Sequence, residues 1–471
     1  MATNSGVIIN RANDHSAFFN SIKSRNSKSL PELYSSEVNT EACAYSRVEI
    51  ESSSAVGFSR TMRLSLPRYA NLNKLYLHST FSGGTASSAF SATVGIHNVP
   101  FIGALLGKEY RLVYQGQVLA KLTPEAIIAD LWKHSNDREK KKLQELLGAY
   151  NCKAAASSSH NHTANRVSAD PEARWISGSA PNNGVCDFYC PLRFWFDASM
   201  SPNRLLDLGV LANEVILEVD VESQTNLFIG DSGIATLPSL TNLSAVCYLS
   251  EMSDDTLKSY RSLSYTPGGQ PLSQIGFDTT HVIAESGVSH TSGTATDVEI
   301  KLNQFQGQIF KMYVWAQLNT VFPGASRARV LPVPLDEVSL KATGSSIFTA
   351  DELSDKEALL ESLHNGGDFY GVDQASTSIA ASCAVNPMNI MEINFKKPYD
   401  FSKISASGSV SFSQLSVPSL KVSISGRRQF GALNTKPATG SYDIHVVAYH
   451  TALYSYSTNT SGSTNIRQIM S

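Results

Sequence analysis

From Arg47 onward the chain alternates between apolar and polar positions. Met62, Leu64 and Leu66 share one face of a predicted strand ended by Pro67, and Leu75 and Leu77 continue it after a turn near Asn71. Val215, Leu217, Val219 and Val221 alternate with Ile216, Glu218, Asp220 and Glu222, and Val298, Ile300 and Leu302 with Glu299, Lys301 and Asn303. Leu420, Val422 and Ile424, then Ile444, Val446 and Ala448, repeat the pattern near the C-terminus, while 309–318 is an apolar and aromatic run. A period of two over short segments is the mark of antiparallel sheet with one face buried. Helical signals are few. Thr123-Pro124 places a cap and a first-turn proline before a helix running to Trp132, and a second helix is predicted from Asn136 to Gly148. Short helices are also predicted after Ser253 and after Ser354, the latter capped by Glu357 and stopped at Asn365-Gly366.

These signals divide the chain into an N-terminal arm (1–40), a first unit (41–229), a Gly-, Asp-, Ser- and Pro-bearing linker (230–241), a second unit (242–456) and a tail (457–471). The arm is rich in Asn, Ser, Lys and Arg without a sustained period, with Ala17, Phe18 and Phe19 as a candidate anchor. Residues 152–184, with Pro171 and Pro181, read as a long exposed loop, and 268–296 and 425–441 as further loop candidates. Both units order strands, short helices and long loops alike. The fold class is therefore all-β, two tandem sandwiches.

Composition narrows the function classes. Of 471 residues, 38 are basic and 41 acidic, a net charge of −3, and only 17% are charged. Neither a coat of basic residues for nucleic acid nor an acidic solvating chain is indicated, so no direct nucleic-acid binding is expected. With 42% hydrophobic residues the chain can bury large cores. The first residues show no basic patch leading into an apolar run, so synthesis in a cytosol is expected. The longest apolar stretches fall well short of the roughly 18 residues that cross a bilayer. Six cysteines (Cys43, Cys152, Cys186, Cys190, Cys247, Cys383) are spread too thinly for a disulfide scaffold and are expected to be free, mostly buried thiols.

Reaction motifs are missing from the sequence. No Gly-x-Ser-x-Gly elbow or Gly-x-Gly-x-x-Gly fingerprint occurs. Gly103-Ala-Leu-Leu-Gly107-Lys108 has one residue too few for a phosphate loop and Glu109 where a magnesium-binding hydroxyl is required. Cys152, His160 and His162 cluster in a loop but lack a fourth zinc ligand, and Cys186 with Cys190 has no second pair. Asp254-Asp255 and Asp351-Glu352 suit the first turns of helices. No catalytic residue, cofactor or metal is expected. Three glycosylation sequons, at Asn161, Asn242 and Asn459, are read as coincidental.

Four segments, in order, carry a resemblance. The first is Phe58-Ser-Arg60-Thr-Met-Arg-Leu-Ser-Leu-Pro67-Arg68-Tyr-Ala-Asn71-Leu-Asn-Lys-Leu75-Tyr76-Leu77. The second runs from Phe101 through Gly103 to Gln115-Gly116-Gln117. The third is Pro191-Leu-Arg-Phe194-Trp195-Phe196, continued by Leu205-Leu-Asp-Leu-Gly-Val-Leu-Ala-Asn213-Glu214-Val215. The fourth is Gly408-Ser-Val-Ser-Phe412-Ser413-Gln-Leu415, with weaker likeness at Leu302–Phe305 and Tyr313-Val-Trp315. Together they resemble the major capsid proteins of nucleocytoplasmic large DNA viruses and their smaller eukaryotic relatives. They match an opening strand with an Arg-x-Gly-Asp-Leu turn, a Gly-Gly turn, a Pro-Leu-x-Phe-Trp-Phe strand leading to His-Glu-Val, and a Ser-Gly-x-x-Asn-Phe-Ser segment. Ala70-Asn71 here replaces Gly-Asp, and Asn213 replaces the His.

The resemblance implies two eight-stranded jelly rolls, a homotrimer with a pseudo-hexagonal outline, and an icosahedral shell of such capsomers. It implies a virion location after assembly in the host cytoplasm, with neighbouring capsomers and minor capsid and penton proteins as partners. The arm, with Arg11, Lys23, Arg25 and Lys28, is expected to face inward, towards minor proteins or the headgroups of an internal membrane. No enzymatic activity is implied. Two other readings stay open: a double jelly-roll capsid protein of a bacterial or archaeal membrane-containing virus, and a tandem β-sandwich protein that binds or hydrolyses carbohydrate.

Overall fold

The computed structural model describes residues 44–86, 96–99, 101–134, 142–143, 146–148, 186–197, 206–230, 234–251, 272–319, 332–342, 345–350, 389–395, 409–426, 437, 439–458 and 464–470. The N-terminal arm, the 152–184 loop with Cys152, His160 and His162, the helices expected after Ser253 and Ser354, and Gly408 lie outside them.

The first half holds β1 (Ala44–Glu51), β2 (Thr61–Ser65), β3 (Asn71–Ser82), β4 (Thr85–Ala86), β5 (Ile96–Asn98), β6 (Gly107–Tyr114), β7 (Gln117–Leu122), β8 (Cys186–Pro191), β9 (Leu206–Asp207), β10 (Val215–Val221), β11 (Phe228–Gly230), β12 (Ile234–Thr236) and β13 (Ser239–Glu251). Between them lie the helices α1 (Ile102–Leu105), α2 (Pro124–His134) and α3 (Gln224–Leu227). The second half holds β14 (Leu272–His290), β15 (Thr296–Lys301), β16 (Gln308–Leu318), β17 (Leu335–Ala342), β18 (Ser345–Ala350), β19 (Met391–Asn394), β20 (Val410–Ser411), β21 (Ser419–Ile424), β22 (Gly440–Thr458) and β23 (Thr464–Met470).

Strand order is the same in both halves. In the first, one sheet runs β1, β13, β3, β8 and the facing sheet β2, β10, β6, β7; in the second, the sheets run β14, β22, β16, β19 and β15, β21, β17, β18. Setting aside the short accessory strands, the first strand of each half pairs with the eighth, the eighth with the third and the third with the sixth. The second, seventh, fourth and fifth make the opposite sheet. This is the eight-stranded jelly roll, present twice. Alternation fills each interior: Met62, Leu64, Leu217 and Val219 in one, Ile300, Leu420, Val422 and Ile424 in the other, all buried.

The expected boundaries shift. β13 pairs with β1 and β3 along its length, and Leu240, Leu243, Ala245, Cys247 and Leu249 belong to the first core. The first roll therefore ends at Glu251, and the described part of 230–241 is the last residue of β11, the short strand β12 and the start of the eighth strand rather than a linker. Glycine, aspartate and proline serve tight turns between short strands as well as they serve a linker. The expected tail contains β23, which pairs antiparallel with β22. The loop expected over 268–296 is largely β14, which runs beside β22 from Leu272 to His290. Its two register shifts, between Ile283 and Val288, break the period of two.

Helix α2 starts at the predicted proline. Its cap differs from expectation: the Thr123 hydroxyl is buried without a hydrogen-bond partner, while the Thr123 N–H donates to Thr279 Oγ1 at 2.9 Å. Lys142, Leu143, Leu146 and Leu147 are helical as predicted, and Gly148 follows with a φ of 67°. A Cβ there would lie 2.5 Å from the Phe188 ring, so both conformation and space require glycine. Cys190 and Cys247 are free and buried. Among the described residues no helix is long and apolar enough to cross a membrane.

Candidate functional site

Two features offer contacts rather than chemistry: the seam between the rolls and the outer faces of the first roll. The seam is built by strands that serve two cores. In β22, Tyr442, Ile444, Val446 and Ala448 point into the second roll, whereas Val447, Tyr449, Ala452 and Tyr454 belong to the core continuous with the first. In β16, Met312, Val314 and Ala316 face inward, and Tyr313 and Trp315 face the first roll. A sheet buried on both faces reads as an unbroken apolar run, which is how 309–318 looks in the sequence.

Two pieces of the first roll cover this sheet. One is the Phe194-Trp195-Phe196 turn, all three side chains fully buried. Trp195 stacks on Tyr454 with ring centroids 4.1 Å apart and planes at 19°. A Cβ on Gly276 would meet Tyr454 at 2.3 Å and Trp195 at 2.8 Å, so glycine there lets the indole lie against the strand backbone. The other piece is α2. Its Asp130 accepts from Lys311 Nζ at 2.9 Å and from the phenols of Tyr313 at 2.7 Å and Tyr449 at 2.6 Å. Burial, reinforced by the Asp130 charge, pushes both tyrosines well above their ordinary range and keeps them protonated donors. Beside this cluster His281 Nε2 and His445 Nδ1 are 3.0 Å apart, and Glu125 Oε2 lies 3.5 Å from His281 Nδ1. Burial, then the neighbouring His281, pulls His445 down to about 3. Trp315 stacks on His445 at 5.2 Å and its indole N–H has no hydrogen-bond partner.

A corner brings three of the sequence segments together. Arg68 donates to the Ala212 carbonyl at 2.7 Å, the Leu66 N–H to Val215 at 2.9 Å, and Asn71, buried at the start of β3, pairs with Asp207. Tyr114 Oη lies 3.4 Å from the Asn213 N–H. The hairpin after it turns on Gln115 (φ 50°) and Gly116 (φ 78°), two positive values that join β6 to β7 in two residues. Onto this corner folds β23: the Tyr114 hydroxyl and the Gln115 amide donate to Asn465 Oδ1 at 3.0 and 2.9 Å. Asn465 carried no sequence signal, since a lone Asn in a polar segment has no period. Asn213 and Glu214 are exposed and Val215 is buried.

The remaining predicted residues stand apart. Arg60 is exposed and donates to the Ala55 carbonyl at 3.3 Å, Pro67 stands two residues beyond the end of β2, and Pro191 is the last residue of β8, opposite Tyr76. Gly103 packs under Phe188 and Leu147. Its segment is no phosphate cradle: the N–H groups of Ala104, Leu105 and Leu106 bond to backbone carbonyls, and that of Gly107 to the Tyr110 hydroxyl at 3.0 Å. In the second roll Phe412 is buried near Phe305 and Phe395, and Ser413 Oγ accepts from the Gly307 N–H at 2.9 Å.

The outer faces differ in character. On β1, β13, β3 and β8, Tyr45 and Tyr248 are exposed, Tyr76 meets Tyr248 edge-on at 5.7 Å, and His78 stacks on Tyr189 at 4.3 Å. Glu49 accepts from Ser244 at 2.6 Å and lies 2.6 Å from His78; the Ser244 bond, then His78, hold its carboxyl below the usual range. The opposite sheet carries charge: Arg63 pairs with Glu218 at 2.8 Å, Arg111 with Asp220 at 3.0 Å and Lys121 with Glu109 at 3.7 Å. Among the described residues no group of histidine, cysteine and carboxylate side chains could hold a metal.

The decisive comparison is with solved structures. VP54 of the virus PBCV-1 superposes with a TM-score of 0.55 at 15% identity, over 90% of this chain and 97% of that one. The double jelly roll is the fold of this chain. A chain of the Sputnik virophage gives 0.56 at 11% identity, over 92% and 90%. The Faustovirus major capsid protein gives 0.52 at 12%, over 88% and 90%. No family model matches this double jelly-roll sequence, and no curated protein does.

Proposed function

We propose that this chain is a viral major capsid protein, a structural subunit rather than an enzyme. The observation that carries the reading is the fusion of two complete jelly rolls through one doubly buried sheet. Such a seam gives a rigid two-barrel block of fixed relative orientation, which suits tiling. Three blocks related by a threefold axis present six barrels, a pseudo-hexagon, and such trimers close into an icosahedral shell. The tyrosine face and the charged face of the first roll supply unlike surfaces for contacts within and between capsomers, since aromatic residues favour interfaces and complementary charge fixes register. Neighbouring capsomers, minor capsid and penton proteins are the partners, the N-terminal arm reaches inward, and assembly takes place in the host cytoplasm.

Light scattering after size exclusion of the recombinant chain tests the reading, with negative-stain imaging of the main peak. The expected species has three times the 51.0 kDa chain mass and a hexagonal outline. A chain that stays monomeric at every concentration would overturn the capsomer and point to a tandem sandwich with another role.

A further inference from the structure

We propose that Lys311 and Asp130 are the two halves of an intramolecular isopeptide bond that welds the two jelly rolls together. The reactive atoms are already in place: Lys311 Nζ lies 2.9 Å from Asp130 Oδ1, one carboxylate bond from the carbon it would attack. Such proximity replaces a bimolecular encounter with an internal step. Both residues are more than nine-tenths buried, and the ammonium sits over the Tyr449 ring at 4.0 Å and the Tyr313 ring at 4.7 Å. In such surroundings an ion pair bears a desolvation cost that a neutral amide does not.

The neighbours match the requirements of amide formation. The Tyr313 and Tyr449 phenols donate to the two Asp130 oxygens, where negative charge gathers as the carboxyl carbon becomes tetrahedral. A second buried carboxylate, Glu392, stands opposite Tyr313 in the β16 to β19 pairing, on the face that carries Lys311. Its charge reaches both tyrosines. Glu392 takes one proton from the Lys311 ammonium and frees the amine. The nitrogen lone pair forms the C–N bond to Asp130 Cγ, and a C–O bond breaks with its electron pair leaving on oxygen. That oxygen departs as water, carrying two of the three ammonium protons, one of them relayed by Glu392. Ammonium and carboxylate become amide and water, without oxidant or other reactant. The bond links positions 181 residues apart and ties helix α2 of the first roll to β16 of the second.

Intact-mass spectrometry of the purified, denatured full chain is the test. The expected mass is one water below that of the sequence, and proteolysis releases a branched peptide joining Lys311 to Asp130. Lys311→Arg and Asp130→Ala each restore the full mass. Glu392→Gln elutes as the wild type does but keeps the full mass. An unshifted wild-type mass overturns the proposal, as does a water loss that survives Lys311→Arg. The branched peptide is read from the wild type alone, so a variant that fails to fold leaves the test decisive. Wild-type yield of the bond in Glu392→Gln removes Glu392 from the scheme.

Discussion

Replacing Trp195 by alanine strikes the seam where its geometry is best defined. The indole has no exposed surface, stacks on Tyr454 at 4.1 Å, and belongs to the first roll whereas Tyr454 belongs to the second. Truncating a fully buried tryptophan costs about 3–5 kcal/mol, because transferred surface and a residual cavity add. Of that, the offset stack contributes about 0.5–1.5 kcal/mol. The loss falls on the coupling between rolls more than on either interior, so urea unfolding should change from one transition to two. Far-UV circular dichroism is the probe, since it does not depend on the tryptophan removed. A double-mutant cycle with Tyr454→Leu should return a coupling in the range of the stack. A loss below about 1 kcal/mol with a single transition retained, or no coupling in the cycle, would refute the view that this stack joins the rolls.

Acid should weaken the fold through His445. Folded, it titrates near 3, against 6.5 when free, so the unfolded chain binds more protons between those values. Stability is complete above pH 6.5 and falls as pH drops towards 3; His445→Gln should flatten that slope in denaturant titrations across the window. Gly116→Val forces a branched residue to a φ of 78° and should cost about 1–2 kcal/mol in thermal melts, whereas Gly116→Asn should cost much less. Truncation after residue 463 removes β23, bares the β22 edge from Leu453 to Thr458 and unpairs Tyr114 and Gln115 from Asn465. The truncated chain should melt earlier and aggregate faster in light scattering, because an uncovered strand edge recruits other edges.

Strands with one wet face were legible in the sequence, as β2, β10, β15 and β21 show, because water on one side enforces the period of two. Helix α2 was legible through its proline, and the Gln115-Gly116 hairpin through its glycine. What the sequence obscured were places where a second surface replaced water. The odd positions of β22 mix His445, Val447 and Tyr449, and nothing local tells that they meet another roll. The 230–241 segment looked like a linker because turn residues between short strands and linker residues are the same residues. Of the singled-out positions, Arg68, Asn71, Gly116, Asn213 and Val215 converge on one corner and Trp195 and Trp315 on the seam, yet Asp130, Lys311 and Asn465 went unnoticed. Charged and amide side chains inside a seam resemble solvated ones until their partners, far along the chain, are known.

The shared sheet also sets a timetable. Helix α2 and the Phe194-Trp195-Phe196 turn leave the ribosome long before β16 and β22, which are to cover them. Through that interval the first roll can close its own sheets, β1 to β13, while one apolar flank stays bare. Nascent chains with such a flank are substrates for chaperones and for premature association with copies of themselves. The order of synthesis thus exposes the surface that the finished molecule hides most completely, and part of it stays in water until β22 has been made.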